Sequence, residues 1–304
     1  MERTPYVIFI APQSRLDESA RREQLKLATK VALHQGQTPI TPELLYQPLL
    51  DCVSDLSLRR EIVAALALQW QETLSEHRYE SYVLLSDPGE QPSLSPNERV
   101  FFERSKAHQP YGLAPWYCPD YFAEHADISL PVAKGAVVDL SHITLATSDK
   151  IITQALLCAI ERPQLIPTVI ESPFAGEIPK HLTYAFDVLP QLLNAGRLPF
   201  GSHFVYTQVL DDNKAGEREL GIAAGLAMYD VCHHSVYLLD HGVSVGMERA
   251  YEAQAAHHQS CDYWLEDTLH HQWPKSLALP APLDKKTQSL DMTLKPESSR
   301  ALKR

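Results

Sequence analysis

The sequence predicts an α/β protein with parallel sheets, and it predicts that one fold is present twice in the chain. Three observations lead to this prediction. Short, continuous apolar segments alternate with longer helical segments, which is typical of a parallel sheet covered by helices on both faces. The chain has 304 residues, enough for two domains. Four blocks of residues in the first half recur in the same order in the second half.

The first half contains two predicted strands and three predicted helices. Each strand is a continuous apolar run that ends in a polar turn, and the strands cover residues 7–10 and 82–85. The helices are rich in Ala, Leu, Arg and Glu, and Gly36 provides a stop signal for the first of them. They cover residues 17–35, 58–76 and 97–108.

The second half repeats this alternation. Its strands are predicted at residues 168–170 and 235–239, and its helices at residues 179–194, 217–228 and 247–258. Pro190 lies inside the first of these helices and is expected to kink it. Between the two halves, the sequence predicts one further strand within residues 135–146 and a helix over residues 148–160.

The internal repeat can be followed residue by residue. Residues 36–51 pair without gaps with residues 196–211, at an offset of 160. The offset falls to 158, 153 and 150 in the later blocks, and each change falls where a loop is expected. Those blocks pair Arg60-Glu61 with Arg218-Glu219, Asp87–Gly89 with Asp240–Gly242, and Glu98-Arg99 with Glu248-Arg249. The predicted organisation is a first copy at 1–109, a connector at 110–164, a second copy at 165–271 and a mobile tail at 272–304.

The charge balance disfavours a nucleic-acid polymer as the partner. The chain carries 27 Lys and Arg against 38 Asp and Glu, a net charge of −11. Residues 272–304 hold a surplus of four positive charges, so the remainder carries −15. A polyanion is normally bound by a basic face, which this composition does not favour. A small anionic metabolite remains compatible, because a few backbone amides can bind it locally.

Cysteine usage and hydropathy predict a cytoplasmic protein without a membrane segment. The five cysteines are odd in number and widely spaced, and they form no CxxC pair. The sequence has no signal-peptide pattern, and no apolar run approaches the roughly 18 residues that a membrane helix needs.

The motif search predicts no metal and no cofactor. The 14 histidines include adjacent pairs, but adjacent side chains on a strand point to opposite faces. Zinc-site spacings and the HExxH, GxGxxG and P-loop patterns are all missing from the sequence.

The segment at residues 240–251 is the strongest candidate for chemistry, because it follows a buried strand and opens a helix. Gly242 and Gly246 allow the backbone to approach a ligand closely. Glu248 lies in the first helical turn, where the helix dipole favours negative charge. A carboxylate there can attack the C1 carbon of a sugar, with Asp240 handling a proton. The alternative is that Glu248 only stabilises its own helix.

Residues Val243–Tyr251 resemble the nucleophile segment of the nucleoside 2-deoxyribosyltransferases, in which Gly-Met-Glu opens a helix after the sheet. The wider run Gly196–Gln259 resembles a bacterial and phage branch of the same superfamily, whose members mostly lack an assigned function. The resemblance covers about 100 residues and rests on residues 196–203, 206–211, 217–222 and 240–247.

The resemblance implies two tandem flavodoxin-like (Rossmann-like) domains that cleave or transfer N-glycosidic bonds. It implies that Glu248 is the nucleophile and Asp240 the active-site acid. In many relatives of the uncharacterised branch the acid lies two positions later, where this chain has Ala250. The residues expected to bind the substrate are Ser172, Pro173, His203, Arg218, Gly242, Ser244, Gly246 and Met247.

Two of these residues have an alternative role. Arg218 at the start of a helix opposes the helix dipole, which suggests that it binds a phosphate or pairs with a nearby aspartate. A surface salt bridge is the alternative. His203 can contact a base or sugar, or it can be an ordinary hydrogen-bonded loop histidine.

The first copy keeps Asp87 and Glu98 at the positions of Asp240 and Glu248. However, Pro96-Asn97 replaces Gly246-Met247, and Glu43 stands at the position of His203. We interpret this copy as degenerate, with a scaffolding or regulatory role.

Three functions are compatible with the sequence. The first is an enzyme that hydrolyses the N-glycosidic bond of a nucleoside or nucleotide, or transfers its sugar. The second is a non-catalytic binder of a nucleotide or nucleotide-derived signal, using the same pocket. The third is a structural pseudo-dimer with no small ligand. Related single-domain enzymes often complete their sites across subunits, so a homo-oligomer is also compatible with the resemblance.

Overall fold

The strands form two sheets, one from each half of the chain. The structure is a computed structural model, and it describes residues 6–12, 17–84, 93–108, 138–256 and 260–271. The described residues form one compact unit. Its helices and mostly parallel strands confirm the predicted α/β class. Three parts of the predicted organisation lie outside the described residues: Asp87, residues 109–137 of the first half and connector, and the expected tail at 272–304.

The N-terminal sheet has the strand order β2-β1-β3, and all its strands are parallel. Its first helix begins where the Asp17 side chain accepts a hydrogen bond from the Ala20 amide (2.8 Å), as an N-cap residue does. The elements are β1 (Tyr6–Ile10), α1 (Glu18–His34), β2 (Thr38–Ile40), α2 (Pro42–Leu45), α3 (Gln47–Asp51), α4 (Leu56–Thr73), β3 (Tyr79–Val83) and α5 (Pro96–His108).

The C-terminal sheet has the order β5-β4-β6-β7-β8. Its first four strands are parallel, and β8 is antiparallel to β7. The elements are a 3-10 turn (Leu140–His142), α6 (Asp149–Glu161), β4 (Ile166–Glu171), α7 (Ile178–Asn194), β5 (Arg197–Phe200), α8 (Ser202–Val205), a second 3-10 turn (Tyr206–Gln208), α9 (Ala215–Ala227), a third 3-10 turn (Met228–Asp230), β6 (His234–Leu238), α10 (Val245–Ala256), β7 (Ser260–Leu265) and β8 (Thr268–His270).

One predicted element is wrong in the part of it that the structure describes. Residues 138–146 form no strand; they contain the first 3-10 turn instead. The Asp139 carboxylate accepts a hydrogen bond from the Ser141 amide (2.9 Å) and starts that turn, because a short acidic side chain competes with an extended backbone. Pro190 lies inside α7, which runs without interruption from Ile178 to Asn194.

Two pairs of helices, with one helix of each pair in each half, have the same separation along the chain. The bounds of α1 and α7 differ by 160 residues, and so do those of α2 and α8. Strand pairing corresponds as well. Ile8 pairs with Ser81 in the first sheet, and Thr168 pairs with His234 in the second. Ile8 and Thr168 are 160 residues apart, and Ser81 and His234 are 153 residues apart, which are two of the offsets of the sequence repeat.

Two reciprocal hydrogen bonds join the halves. The Tyr46 hydroxyl donates to the Pro199 carbonyl (2.7 Å), and the Tyr206 hydroxyl donates to the Pro39 carbonyl (3.1 Å). Both tyrosines are buried. The tyrosines are 160 residues apart, and so are the prolines. This is the pattern of a two-fold symmetric interface, in which residue i contacts residue j and j contacts i.

We expect Tyr46→Phe and Tyr206→Phe to destabilise the protein by similar amounts. Each variant leaves a buried carbonyl without its donor, which costs about 1–2 kcal/mol. Urea unfolding measures both values. A cost for one variant that exceeds the other by well over about 1 kcal/mol would show that the two contacts are not equivalent.

The structure also gives information on membrane-spanning helices and on the state of the cysteines. Among the described residues, no helix combines the length and the apolar character needed to cross a bilayer. The four cysteines within the described ranges, Cys52, Cys158, Cys232 and Cys261, are free thiols.

Candidate functional site

The candidate site lies at the carboxyl ends of β4 and β6. The chain leaves β4 for β5 on one side and later crosses to β6 on the other side. Such a reversal of strand order opens a crevice between the two central strands, and α/β proteins bind ligands there. β4 ends at Glu171 and is followed by Ser172, and β6 is followed by the turn that leads to Glu248.

Glu248 lies in the first turn of α10 and is partly exposed. Ser244 starts this helix, since its hydroxyl accepts a hydrogen bond from the Met247 amide (3.3 Å) and its carbonyl accepts one from the Glu248 amide (3.1 Å). The Glu248 carboxylate makes no hydrogen bond or ion pair with the residues that the structure describes. It is therefore free to meet a ligand.

A chain of aromatic side chains leads from Glu248 towards β4. Tyr251 lies three residues after Glu248, so both lie on the same side of α10. The Tyr251 ring contacts the Tyr237 ring edge-on, with centroids 6.0 Å apart. Tyr237 is paired in register with Glu171 on the neighbouring strand. The Tyr237–Tyr251 contact thus connects the strand position next to Glu171 with the helical turn that carries Glu248.

Glu171 is not among the site residues that the sequence predicts. It is the last residue of β4 and is partly buried. Its Oε1 accepts a hydrogen bond from the Tyr229 hydroxyl (2.8 Å). Burial raises the pKa of Glu171 to about 7, and the Tyr229 hydrogen bond opposes that rise. The one signal in the sequence is an acidic residue that directly ends a buried apolar strand.

Asp240 is exposed and holds the turn that follows β6. Its Oδ2 accepts a hydrogen bond from the Tyr184 hydroxyl (2.5 Å), and its Oδ1 accepts one from the Glu266 amide (2.8 Å). Burial raises the pKa of Tyr184, so its hydroxyl stays protonated and donates. Both carboxylate oxygens of Asp240 therefore anchor the turn to α7 and to the turn between β7 and β8. The predicted role in proton transfer stays a prediction.

The structure brings Ser172 and His203 together. The Ser172 hydroxyl and His203 Nε2 are 2.7 Å apart, and Pro173 is buried beside them. Burial lowers the pKa of His203 to about 3, so the imidazole is neutral. A neutral imidazole offers one donor and one acceptor, which suits contacts with a sugar hydroxyl or a base edge.

Arg218 does not join these residues. It is exposed on α9, and its Nε lies 3.8 Å from Asp212 Oδ1. This is the surface ion pair considered as the alternative, and pairs of this kind contribute little to stability. A phosphate contact of Arg218 stays a prediction.

Gly242 and Gly246 contribute to this turn in different ways. Gly242 has a φ of +85°, which side chains disfavour, so the turn after β6 needs glycine there. At Gly246 an added Cβ would meet only the Ser244 hydroxyl, at 3.6 Å. Its small size therefore leaves open space beside the start of α10.

The first half uses the residue that corresponds to Glu248 differently. Glu98 is buried and forms a capping box, because its carboxylate accepts from the Ser95 amide (2.8 Å) and the Ser95 hydroxyl accepts from the Glu98 amide (3.3 Å). Arg60 donates to the same carboxylate through Nε (3.2 Å) and Nη2 (2.5 Å). Glu98 is therefore fully engaged by its own half.

A pocket of about 310 Å³, counting its open mouth, lies beyond the carboxyl end of β1. Arg60 and Glu98 line it, together with Arg21 and Glu43. Arg21 Nη2 donates to Glu43 Oε1 (2.9 Å). Burial raises the pKa of Glu43, and the two nearby arginines oppose that rise. Two ion pairs, Arg60 with Glu98 and Arg21 with Glu43, thus form the charged part of the wall of this pocket.

Within the described ranges, no three His, Cys, Asp or Glu side chains come close enough together to hold a metal ion.

Comparison with known proteins identifies one region. A family model described as a domain of unknown function, DUF7768, matches residues 167–264. No curated protein matches the chain, and no solved structure matches it. The matched region contains both Glu171 and Glu248, and it lies within the second predicted copy.

Proposed function

We propose that the chain is a tandem duplication of a nucleoside 2-deoxyribosyltransferase-like domain, and that its second copy acts on the N-glycosidic bond of a nucleoside or nucleotide. The constant offset of 160 residues between α1 and α7 supports the duplication. The reciprocal hydrogen bonds of Tyr46 and Tyr206 support it as well, because a duplicated domain retains the symmetric contact of a dimer.

One contrast carries the proposal. Two glutamates occupy corresponding positions at the start of corresponding helices, and only one is available to a ligand. Glu98 is held by Arg60 and by its capping box. Glu248 has no partner among the described residues and is partly exposed. This difference is expected if the second copy keeps a reactive carboxylate and the first copy has turned the same position to structural use.

The proposed reaction is a displacement at the sugar. A Glu248 carboxylate oxygen attacks C1′, and the bond from C1′ to the base nitrogen breaks with its electron pair moving to the base. The resulting ester between Glu248 and the sugar is opened by water, which gives hydrolysis, or by a second base, which gives transfer. Ser172 and His203 lie at the same edge and can bind sugar hydroxyls.

The proposal predicts that the purified protein releases free base. The panel consists of ribonucleosides, deoxyribonucleosides, their 5′-monophosphates and NAD, and the released base is measured by liquid chromatography. At least one member is expected to lose its base in proportion to enzyme concentration. If every member stays intact, the enzymatic proposal is overturned.

A non-catalytic binder is the second candidate, and the hydrogen bonds of Asp240 favour it. An enzyme that used Asp240 as its acid would have to break contacts with both Tyr184 and Glu266. This candidate predicts that a nucleotide raises the melting temperature by binding the folded state, without being consumed. Consumption of the stabilising nucleotide would exclude it.

A further inference from the structure

Glu171 is a titratable side chain at this sheet edge, and the reaction above gives it no role. It lies between two tyrosines. The Tyr229 hydroxyl donates to it, and Tyr237 faces it from the neighbouring strand. Among the described residues it has no ion pair with an arginine or lysine. A buried carboxyl group without a cationic partner is costly as an anion and therefore favours its neutral form.

A path of neighbouring aromatic side chains connects Glu171 with Glu248. Both are connected through the ring contact of Tyr237 with Tyr251, and Tyr251 lies one helical turn from Glu248. The two carboxyl groups also differ in environment, since Glu171 is shielded by aromatic rings and Glu248 has no partner among the described residues. Pairs of carboxyl groups held in contrasting environments are typical of sites that divide acid and nucleophile roles.

We propose that Glu171 is a catalytic residue, the acid that protonates the departing base. This inference rests on the proposed function of Glu248. As the C1′–N bond breaks, a ring nitrogen of the base takes the proton of the Glu171 carboxyl group. The Glu171 carboxylate then accepts a proton from the water, or from the second base, that attacks the ester of Glu248. Each cycle leaves both carboxyl groups as they began.

The neutral form of Glu171 prevails below a pH of about 7, since burial raises its pKa to about that value. The titratable groups near Glu171 come from three elements: Tyr229 from the third 3-10 turn, Tyr237 from β6, and Glu248 beyond Tyr251 on α10. Tyr229 and Tyr237 have raised pKa values, because both are buried, and stay neutral. Proton donation is therefore expected to fail as the pH rises through about 7.

The test compares guanosine with 7-methylguanosine, each as the nucleoside and the 5′-monophosphate. The methylated base already carries a positive charge and leaves without a proton. We expect Glu171→Gln to lower the single-turnover rate of base release from guanosine by about 10²–10⁴-fold and to change that rate for 7-methylguanosine only a few-fold, because this rate reports the step before the ester is opened. Glu177→Gln is the control, because Glu177 is exposed and pairs with Lys180; it should leave both rates unchanged.

The wild-type protein provides a second measurement that needs no variant. The ratio of the guanosine rate to the 7-methylguanosine rate is expected to fall as the pH rises through about 7. A ratio that stays constant from pH 5 to pH 9, or equal losses of both substrates in Glu171→Gln, would overturn the role of Glu171 alone. If the wild type releases base from neither substrate nor from the wider panel, the proposed function fails, and this inference fails with it.

Discussion

Glu248→Gln is expected to reduce base release by about a thousand-fold or more. The amide of glutamine cannot attack C1′ to form an ester, so the displacement loses its nucleophile. Because the Glu248 carboxylate has no partner among the described residues, the variant should fold and melt like the wild type. The measurement is kcat for the best substrate of the panel, with the melting temperature recorded in parallel.

Glu252→Gln is the matched control for this variant. Glu252 lies one turn further along α10 and is partly exposed like Glu248, but it is further from the helix start. It should retain wild-type activity. Equal activity of Glu248→Gln and the wild type would remove Glu248 from the mechanism, and an equal loss in Glu252→Gln would show that the effect is not specific.

Arg197→Met is expected to cause the largest loss of stability, about 3–5 kcal/mol. Arg197 Nη2 lies 2.6 Å from Asp262 Oδ2, and both side chains are more than nine-tenths buried. The pair joins the first residue of β5 to β7, across the two central strands. Removing the arginine leaves a buried aspartate beside two histidines, His271 at 2.9 Å, which is largely exposed, and His234 at 4.0 Å. Urea unfolding measures the loss.

The double variant Arg197→Met/Asp262→Leu tests the reason for that loss. Replacing both partners with apolar residues removes the unpaired charge, so most of the lost stability should return. If the double variant is as unstable as the single one, the cost comes from packing and not from the buried aspartate.

The long helices could be predicted because their signals are local. Asp17 caps α1, and Gly36 follows the end of that helix with a φ of +72°. The short strands β2 and β5 could not be predicted, because each is only three or four residues long and contains a proline. They exist because β1 and β4 pair with them, which is a tertiary effect.

β7 was missed for a related reason. Asp262 lies in the middle of that strand, where a charged residue argues against burial. The residue that makes its burial tolerable, Arg197, is 65 positions away. A pairing between residues so far apart in the chain cannot be detected from local periodicity.

The candidate site was predicted in part. The segment that carries Glu248 was identified because a strand end, a glycine turn and a helix start are adjacent in the chain. Ser172 was identified through the family resemblance, and its contact with His203 was not predicted. It did not identify Glu171, whose burial depends on Tyr229, 58 residues away. It also gave no sign that Tyr184 and the Glu266 amide hold both oxygens of Asp240.

The central claim is that Glu248 forms a covalent bond with the sugar, and trapping that bond tests it most directly. A 2-deoxy-2-fluoro nucleoside of 7-methylguanine combines a slowed sugar with a good leaving group, so the ester should accumulate. We predict that mass spectrometry will find one fluorinated sugar per chain, attached to the peptide that contains Glu248 and absent from Glu248→Gln. Base release without any adduct, or an adduct on another residue, would contradict the claim.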